Sequence, residues 1–578
     1  MGYRYIALIK DVAGAADNGD CQLADKLRDL SLERRGRVRR VTLFAPKETP
    51  TLSLPGGTVL LGDLYDRDSR PVVDVACFQH LSTHQALRQH LLDHYWGEYL
   101  LIQPIDEDSN GVTFMRDPSG GVACAHSPKG KFVTSDPSIA SHLGLHREQI
   151  DWEFVSHCLI YPYMKISRTG LADISELLPG CVLTVADSTT RINLAWSPWS
   201  FVAPAEQHRD PAAAAQVIRN VTTSVVRAMA ETDGSLLLEL SGGLDSSIVG
   251  VCLATAHARI AACNAISPLP GADERHYASQ IADQLGIELL QGLLDFEESG
   301  IEFSLPRNSL RPAVSSLARM AARIMDNIAE LQSANSVYSG GGGDTVFCYL
   351  KSAAPAADAF LSLGLAACWQ AIIDLSKLHG CTVAKAARLT LRKLYMPPKP
   401  ACKPVYTLLT RNHPAPPLEL HPWSTAPAGA LPGDRERIFD LAGNQMFADV
   451  MLRADHRRVR MPLLSQPVME ACLGVPSWMW ISGGRNRAIA RSAFSGQLPA
   501  EILNRRSKGT FMNYTFAMYR RNKETIRRFL LDGHLHAHGL LDPDKLNLFL
   551  DSPLKARDQS FMRVLDLCMI ENWIRNHA

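Results

Sequence analysis

The sequence predicts a mixed α/β protein in two parts: a mostly β half over residues 1–205, then a parallel sheet wrapped by helices over residues 206–578. Three observations carry this expectation. Residues 1 to about 200 hold short alternating or apolar runs, separated by Gly, Pro, Asp and Ser turns. From Asp210 onward, longer Ala-rich helical patterns alternate with short strands, as in a parallel sheet covered by helices. A chain of 578 residues is also too long for one ordinary core.

Composition narrows the function classes. Apolar content of 46% and charged content of 21% are those of a soluble globular protein. Sixty basic and 59 acidic side chains leave a net charge of +1, which argues against a dedicated nucleic-acid binder. The first residues, Met1-Gly2-Tyr3-Arg4-Tyr5, show no signal-peptide pattern. The 13 cysteines are scattered without a C-x-x-C pair, which suits reduced thiols in a cytoplasm. The expected setting is therefore cytoplasmic, with neither membrane nor nucleic acid as a partner.

In the first half, strands are expected at Tyr5–Ile9, Val41–Phe44, Thr58–Leu61, Tyr99–Ile102, Val112–Met115, Lys131–Thr134 and Val182–Val185. Trp196 to Pro204 reads as a linker. In the second half, Ile260–Ile266 reads as a strand. Apolar Ala278, Ile281, Ala282 and Leu285 have helical spacing, with Asp273 and Glu274 at the favoured N-terminal end. Ala359–Ile373 is too short for a comfortable membrane span and reads as a buried core helix. Residues 396–431 hold many prolines, including Pro397, Pro398, Pro414 and Pro422, and read as a long surface loop or lid.

The chemistry concentrates in two turns. Leu236–Leu240 followed by Ser241-Gly242-Gly243-Leu244-Asp245-Ser246-Ser247 reads as strand, tight loop and helix start. Glycines let backbone N–H groups approach an anion, and the helix dipole favours negative charge there. Asp245 adds a carboxylate suited to Mg²⁺, which takes one or two carboxylates plus substrate phosphates. No Gly-Lys-Ser/Thr follows, so this is not the Walker pattern. The second turn, Ser339-Gly340-Gly341-Gly342-Gly343-Asp344, follows the apolar Val337-Tyr338. Four successive glycines cost backbone entropy and make sense where a ligand approaches the main chain; a flexible spacer is the alternative. Asp245 and Asp344 are 99 positions apart, and the C-terminal edge of a parallel sheet can bring both to one polyphosphate.

These segments resemble the asparagine synthetase family of N-type ATP pyrophosphatases, over nearly the whole chain. Further pieces share the resemblance: Arg116-Asp117-Pro118-Ser119-Gly120, Ile174–Gly180, Arg460–Ser465, Gly484–Ala488 and Leu498–Gly509. It implies a class II glutamine-amidotransferase-like αββα sandwich, here degenerate, ahead of the ATP-pyrophosphatase domain. Its glutaminase uses an N-terminal cysteine; here residue 2 is Gly2 and the first cysteine is Cys21, so ammonia production is expected to be absent. The resemblance implies ATP and Mg²⁺ as cofactors. It implies nucleotide contacts from Leu240, Ser241, Gly242, Gly243, Asp245, Ser246, Ser267, Ser339 and Gly340, and metal ligation by Asp245 and Asp344. It implies that Lys508, with Arg505 or Arg506, meets the α-phosphate and the oxyanion. Residues 451–530 as a whole carry 15 Lys and Arg against four acids, a field suited to polyphosphate. Gly341 stands where asparagine synthetases have a glutamate and β-lactam synthetases a tyrosine. A Gly-rich turn here resembles the lasso peptide macrolactam synthetases. That branch implies adenylation of an Asp or Glu side chain of a precursor peptide, isopeptide closure by the N-terminal amine, and a leader peptidase or leader-recognition protein as partner. The alternatives are a β-lactam-type small-molecule amide synthetase, a non-catalytic precursor-binding scaffold, and asparagine synthetase itself.

Overall fold

The computed structural model describes residues 2–10, 19–105, 110–186, 189–266, 273–294, 309–312, 316–349, 351–396, 402–410, 416–452, 457–505, 512–555 and 558–578. Period-2 alternation builds the first half. In the central strand Ile6–Ile9, Ala7 and Ile9 face the opposing strands, with Tyr5 just ahead of them. Ile6 and Leu8 face the other way, toward helices. Two six-stranded antiparallel sheets stack face to face through a core that includes Val41, Leu43, Leu100, Ile102 and Phe114. Helices Pro137–His142 and Trp152–Ile160 cover one outer face, and helix His84–His94 covers the other.

The second half is organised by a five-stranded parallel sheet. Its spatial order is Leu289–Leu293, Arg259–Ile266, Ser235–Glu239, Ser336–Tyr338, Arg458–Arg460. Leu236 and Leu238 pack on the face of helices Pro211–Asp233 and Leu244–Leu253, while Leu237 packs on Met325 and Ala329 of helix Ser316–Leu331. Such two-sided burial requires the near-continuous apolar runs these strands carry. The long helix Pro211–Asp233 is well punctuated. Asp210 accepts from the Ala213 N–H, Pro211 opens the first turn, and Gly234 ends it at φ +70°. Because the first strand lies in the middle, the chain reverses its winding direction between Ser235–Glu239 and Ser336–Tyr338. Open α/β sheets bind ligands beyond the carboxyl ends of the strands at such a switch point.

A buried charge network joins the two sheet systems. Arg460 is 0% exposed and donates to Asp63 (2.6 Å), to Asp233 (2.9 and 3.1 Å), to Tyr3 (2.9 Å) and to Glu98. Arg458 adds a bond of 3.0 Å to Asp63. Tyr3, Asp63 and Glu98 belong to the first half. The carbonyl of Arg460 accepts from the Ser339 N–H at 3.0 Å, so the network abuts the second Gly-rich turn. A second buried cluster gathers Arg116, Lys165 and Arg311 on Glu176, with bonds of 2.6–2.9 Å. Arg116 also donates to the Gly120 and Leu177 carbonyls, and Asp117 accepts from the Ser119 and Gly120 N–H groups. The Arg-Asp-x-x-Gly piece is a buried, internally bonded turn.

Three expectations change. The stretch read as a linker is a packed joint: residues Pro198–Val202 form a 3₁₀ turn, Trp196 donates to Glu470, and Trp199 donates to the Trp423 carbonyl. The segment read as one buried helix is two, Ala354–Leu363 and Leu365–His379, broken at Gly364. Its apolar side chains are partly outside the core, with Leu365 77% and Trp369 55% exposed. The proline-rich segment does not lie free on the surface in its described parts. Leu408 and Leu409 join a helical core, and His421 and Trp423 are buried. Proline is barred from an α-helix interior but opens the 3₁₀ turn Pro422–Ser424, and burial of the Trp423 ring holds that turn against the core. Among the described residues, no helix is long and apolar enough to cross a membrane.

Candidate active site at the switch point of the parallel sheet

The two Gly-rich turns meet where the topology reverses. Ser241, Gly243, Asp245, Ser246, Ser339, Gly340 and Asp344 line one cavity of about 250 Å³, together with Glu239, Thr345 and Asn444. The first turn is held by its own serines. Ser241 and Ser246 hydroxyls lie 3.0 Å apart, and the Gly243 N–H donates to Ser241 Oγ at 3.3 Å. Helix Leu244–Leu253 then starts at Gly243, with its N-terminal end on the cavity wall, where the helix dipole favours negative charge. Gly242 sits at φ +69°, and a Cβ there would stand 2.7 Å from the Ala278 backbone nitrogen.

The second turn is glycine for steric reasons at three of its four positions. A Cβ on Gly340 would lie 2.5 Å from the Ser246 nitrogen, one on Gly342 2.4 Å from Leu464, and one on Gly343 2.5 Å from the Asp245 side chain. Only backbone-thin residues let the turns interlock. Gly341 differs: the nearest atoms to its Cβ would be Met461 Sδ at 3.3 Å and Ser339 Oγ at 3.5 Å, the first a contact that a flexible methionine can yield.

The interlock brings Asp245 and Asp344 together. Arg487 Nη1 donates to both Asp245 oxygens, at 3.0 and 3.1 Å, and to Asp344 Oδ1 at 2.7 Å. Asp245 is nearly buried, with a side chain 9% exposed, while that of Asp344 is 49% exposed. A single cationic nitrogen thus occupies a position that three carboxylate oxygens favour. The donor set fits Mg²⁺, which binds one or two carboxylates and completes its shell with water and phosphate oxygens. Among the described residues, no group of three or more His, Cys, Asp or Glu forms a self-sufficient metal site. Asn444 Nδ2, buried on the cavity wall, has no hydrogen-bond partner among the described residues. An amide left so has a ligand oxygen as its natural complement.

Other anticipated residues fall differently. Leu240 is buried behind the turn, its carbonyl accepting from Asn264 at 2.6 Å, and Gly242 packs against helix Arg275–Leu285; neither lines the cavity. Arg505 braces the loop from outside: it donates to the Gly242 carbonyl, pairs with Glu274 and lies 4.1 Å over the Tyr277 ring. Asp273 accepts from the Arg275 N–H as a cap does. Ser267, Arg506 and Lys508 lie outside the described residues.

Three site residues were not singled out from sequence. Arg487 lies in the family-like Gly484–Ala488 piece of a basic stretch, and only the fold shows which acids it meets. Glu239 ends the first strand and accepts from Ser339 Oγ at 2.6 Å. Asn444 comes from helix Pro432–Leu452. Behind the cavity, burial and then the Arg487 and Arg485 charges lower Arg491 to about 10. Such a concentration of positive charge suits a polyphosphate.

No curated protein matches the chain. A solved structure of the allosteric regulatory enzyme of purine biosynthesis is similar at 8% identity, over 58% of this chain and 83% of that one, with a TM-score of 0.20. The asparagine synthase family profile matches residues 216–575, which hold both turns, both aspartates and Arg487. The chain therefore belongs to the asparagine synthase family and is an ATP-dependent amide-forming ligase.

Proposed function

We propose that this ligase is a lasso peptide macrolactam synthetase, which adenylates an Asp or Glu side chain of a precursor peptide and closes an isopeptide ring with the peptide's N-terminal amine. The observation that carries the reading is Gly341. At its three neighbours a Cβ would clash, whereas at 341 it would meet Met461 Sδ at 3.3 Å, a contact that a flexible methionine can yield. The absence of a glutamate or tyrosine there is thus a departure in chemistry and not a packing necessity. It disfavours asparagine synthetase and the β-lactam-type ligases. The two stacked sheets with outer helices suit a degenerate amidotransferase-like sandwich.

In the first step the peptide carboxylate oxygen bonds to the α-phosphorus of ATP and pyrophosphate departs. In the second, the amine nitrogen bonds to the acyl carbon, AMP departs, and the amine proton passes to solvent or a nearby carboxylate. Main-chain N–H groups of the first turn and the start of helix Leu244–Leu253 would hold the departing phosphates. Asp245 and Asp344 would hold Mg²⁺, which supplies charge neutralisation on those phosphates when bound. Lys508, assisted by Arg505 or Arg506, is proposed to stabilise the α-phosphate and oxyanion; the position of Arg505 makes bracing of the first turn its part. Holding amine and acyl carbon together can supply about 7–11 kcal/mol, so a prefolded peptide needs little base catalysis.

The test is mass spectrometry of short candidate precursors, from reading frames beside the gene, incubated with the protein, its peptidase partner, ATP and Mg²⁺. A loss of one water with AMP formation is expected, and Asp245→Ala should abolish both. A scaffold would support ring formation after that change, and asparagine formed from aspartate and glutamine would refute the peptide reading.

A further inference from the structure

Arg487 stands where the ATP site needs a cation. Its Nη1 touches three oxygens of the two carboxylates at 2.7–3.1 Å, while its Nε has no hydrogen-bond partner among the described residues. The backbone of Arg487 is left-handed at φ +52°, which a residue with a Cβ adopts only under compensation from its surroundings. Its guanidinium also lies 5.4 Å over the Tyr349 ring. Arg487 opens helix Ala488–Ala493, so its Cα is fixed by a packed element while the side chain alone spans to both aspartates.

We infer that Arg487 is a placeholder for the divalent cation. It satisfies Asp245 and Asp344 in the nucleotide-free protein, bars free metal from them, and makes the site accept the cation only as its nucleotide complex. The inference rests on the ATP reading above and concerns a step before any chemistry. Two carboxylates hold Mg²⁺ weakly without phosphate oxygens. An incoming polyphosphate offers the metal those oxygens and gives the guanidinium a new anion at the same moment, so the exchange keeps a cation beside the nearly buried Asp245 and the half-exposed Asp344 throughout. Arginine suits this role because its planar fork pairs with a carboxylate or a phosphate equally well. Asn444, on the same cavity wall, remains for the ligand.

The test needs no peptide. Mn²⁺ binding to the full-length, nucleotide-free protein is measured by electron paramagnetic resonance. Arg487→Met should bind one Mn²⁺ at least tenfold more tightly than wild type, and adding Asp344→Asn should remove the gain. Wild type should bind Mn²⁺ comparably only when α,β-methylene-ATP is present. Arg487→Gln, which keeps a polar side chain, is the second variant under the same criterion, with thermal melts to show that each folds. Equal Mn²⁺ affinity in wild type and variants, or a tight nucleotide-free site in wild type, overturns the inference. Failure of wild type to bind α,β-methylene-ATP at all would instead count against the ATP reading, and that measurement is separate.

Discussion

Replacing Arg460 with methionine probes the joint between the two halves. The side chain is wholly buried and bonds to Asp63, Asp233, Glu98 and Tyr3. Methionine nearly fills the same volume, so the cavity contribution is small and the change isolates charge. Removing one partner of a buried ion pair typically costs about 3–5 kcal/mol. Arg458 still reaches Asp63 at 3.0 Å and Asp233 at 3.6 Å, which places the expected loss near the lower end. Glu98 adds a pH signature. Burial, opposed by Arg460 and reinforced by neighbouring carboxylates, raises its carboxyl from 4.5 to about 6. The folded protein therefore binds more protons than the unfolded chain between those values, and stability falls as pH rises through them. Without Arg460 that rise grows, so the variant's deficit should be largest at pH 8 and shrink toward pH 5.5. Hydrogen exchange of the amides at 336–339 and 458–461 reads the local opening free energy directly. A deficit under about 1 kcal/mol at pH 8, or one that grows on acidification, would refute the reasoning.

Three further outcomes follow from positions already placed. Gly340→Ala should abolish nucleotide binding in calorimetry, because its Cβ would stand 2.5 Å from a backbone nitrogen, whereas Gly341→Ala should fold and bind ATP like wild type. Asp245→Asn and Asp344→Asn should each weaken Mg²⁺–ATP binding, the first more, since its side chain is the more buried; equal and unchanged affinities would contradict the metal assignment. Burial raises Asp358 from 3.8 to about 7 against the opposing bonds from Ser477 and Gly433. Stability is thus expected to fall as pH climbs from about 4 to 7, by at most roughly 1.4 kcal/mol per unit, and Asp358→Asn should flatten that slope in thermal melts and be the more stable protein at pH 8.

How much was legible follows from which forces act locally. Strands such as Ile6–Ile9 and Val112–Arg116 announce themselves because alternation or apolar runs report burial directly. Glu33–Val38 and Thr189–Leu194 do not: both lie at sheet edges, are mostly exposed, and carry charge where an interior strand would carry valine. The two turns are readable because only glycine permits their interlock. Arg487, Glu239 and Asn444 are not, since each reaches the site through tertiary placement and their residue types are ordinary for exposed positions. Arg505 shows the reverse case, a basic residue in a suggestive motif whose guanidinium supports the loop from behind.

The Arg460 network has a bearing on how this enzyme is kept intact. The edge strand that ends in Arg460 also fixes Ser339, so the second Gly-rich turn leans on acids supplied by the antiparallel sheets. A first half that performs no reaction of its own would still be indispensable, as the counter-charge without which the ligase half could not seat its second turn. Severing the chain near residue 205 should therefore cost the remainder its grip on ATP, and adding back the missing piece in trans should restore it.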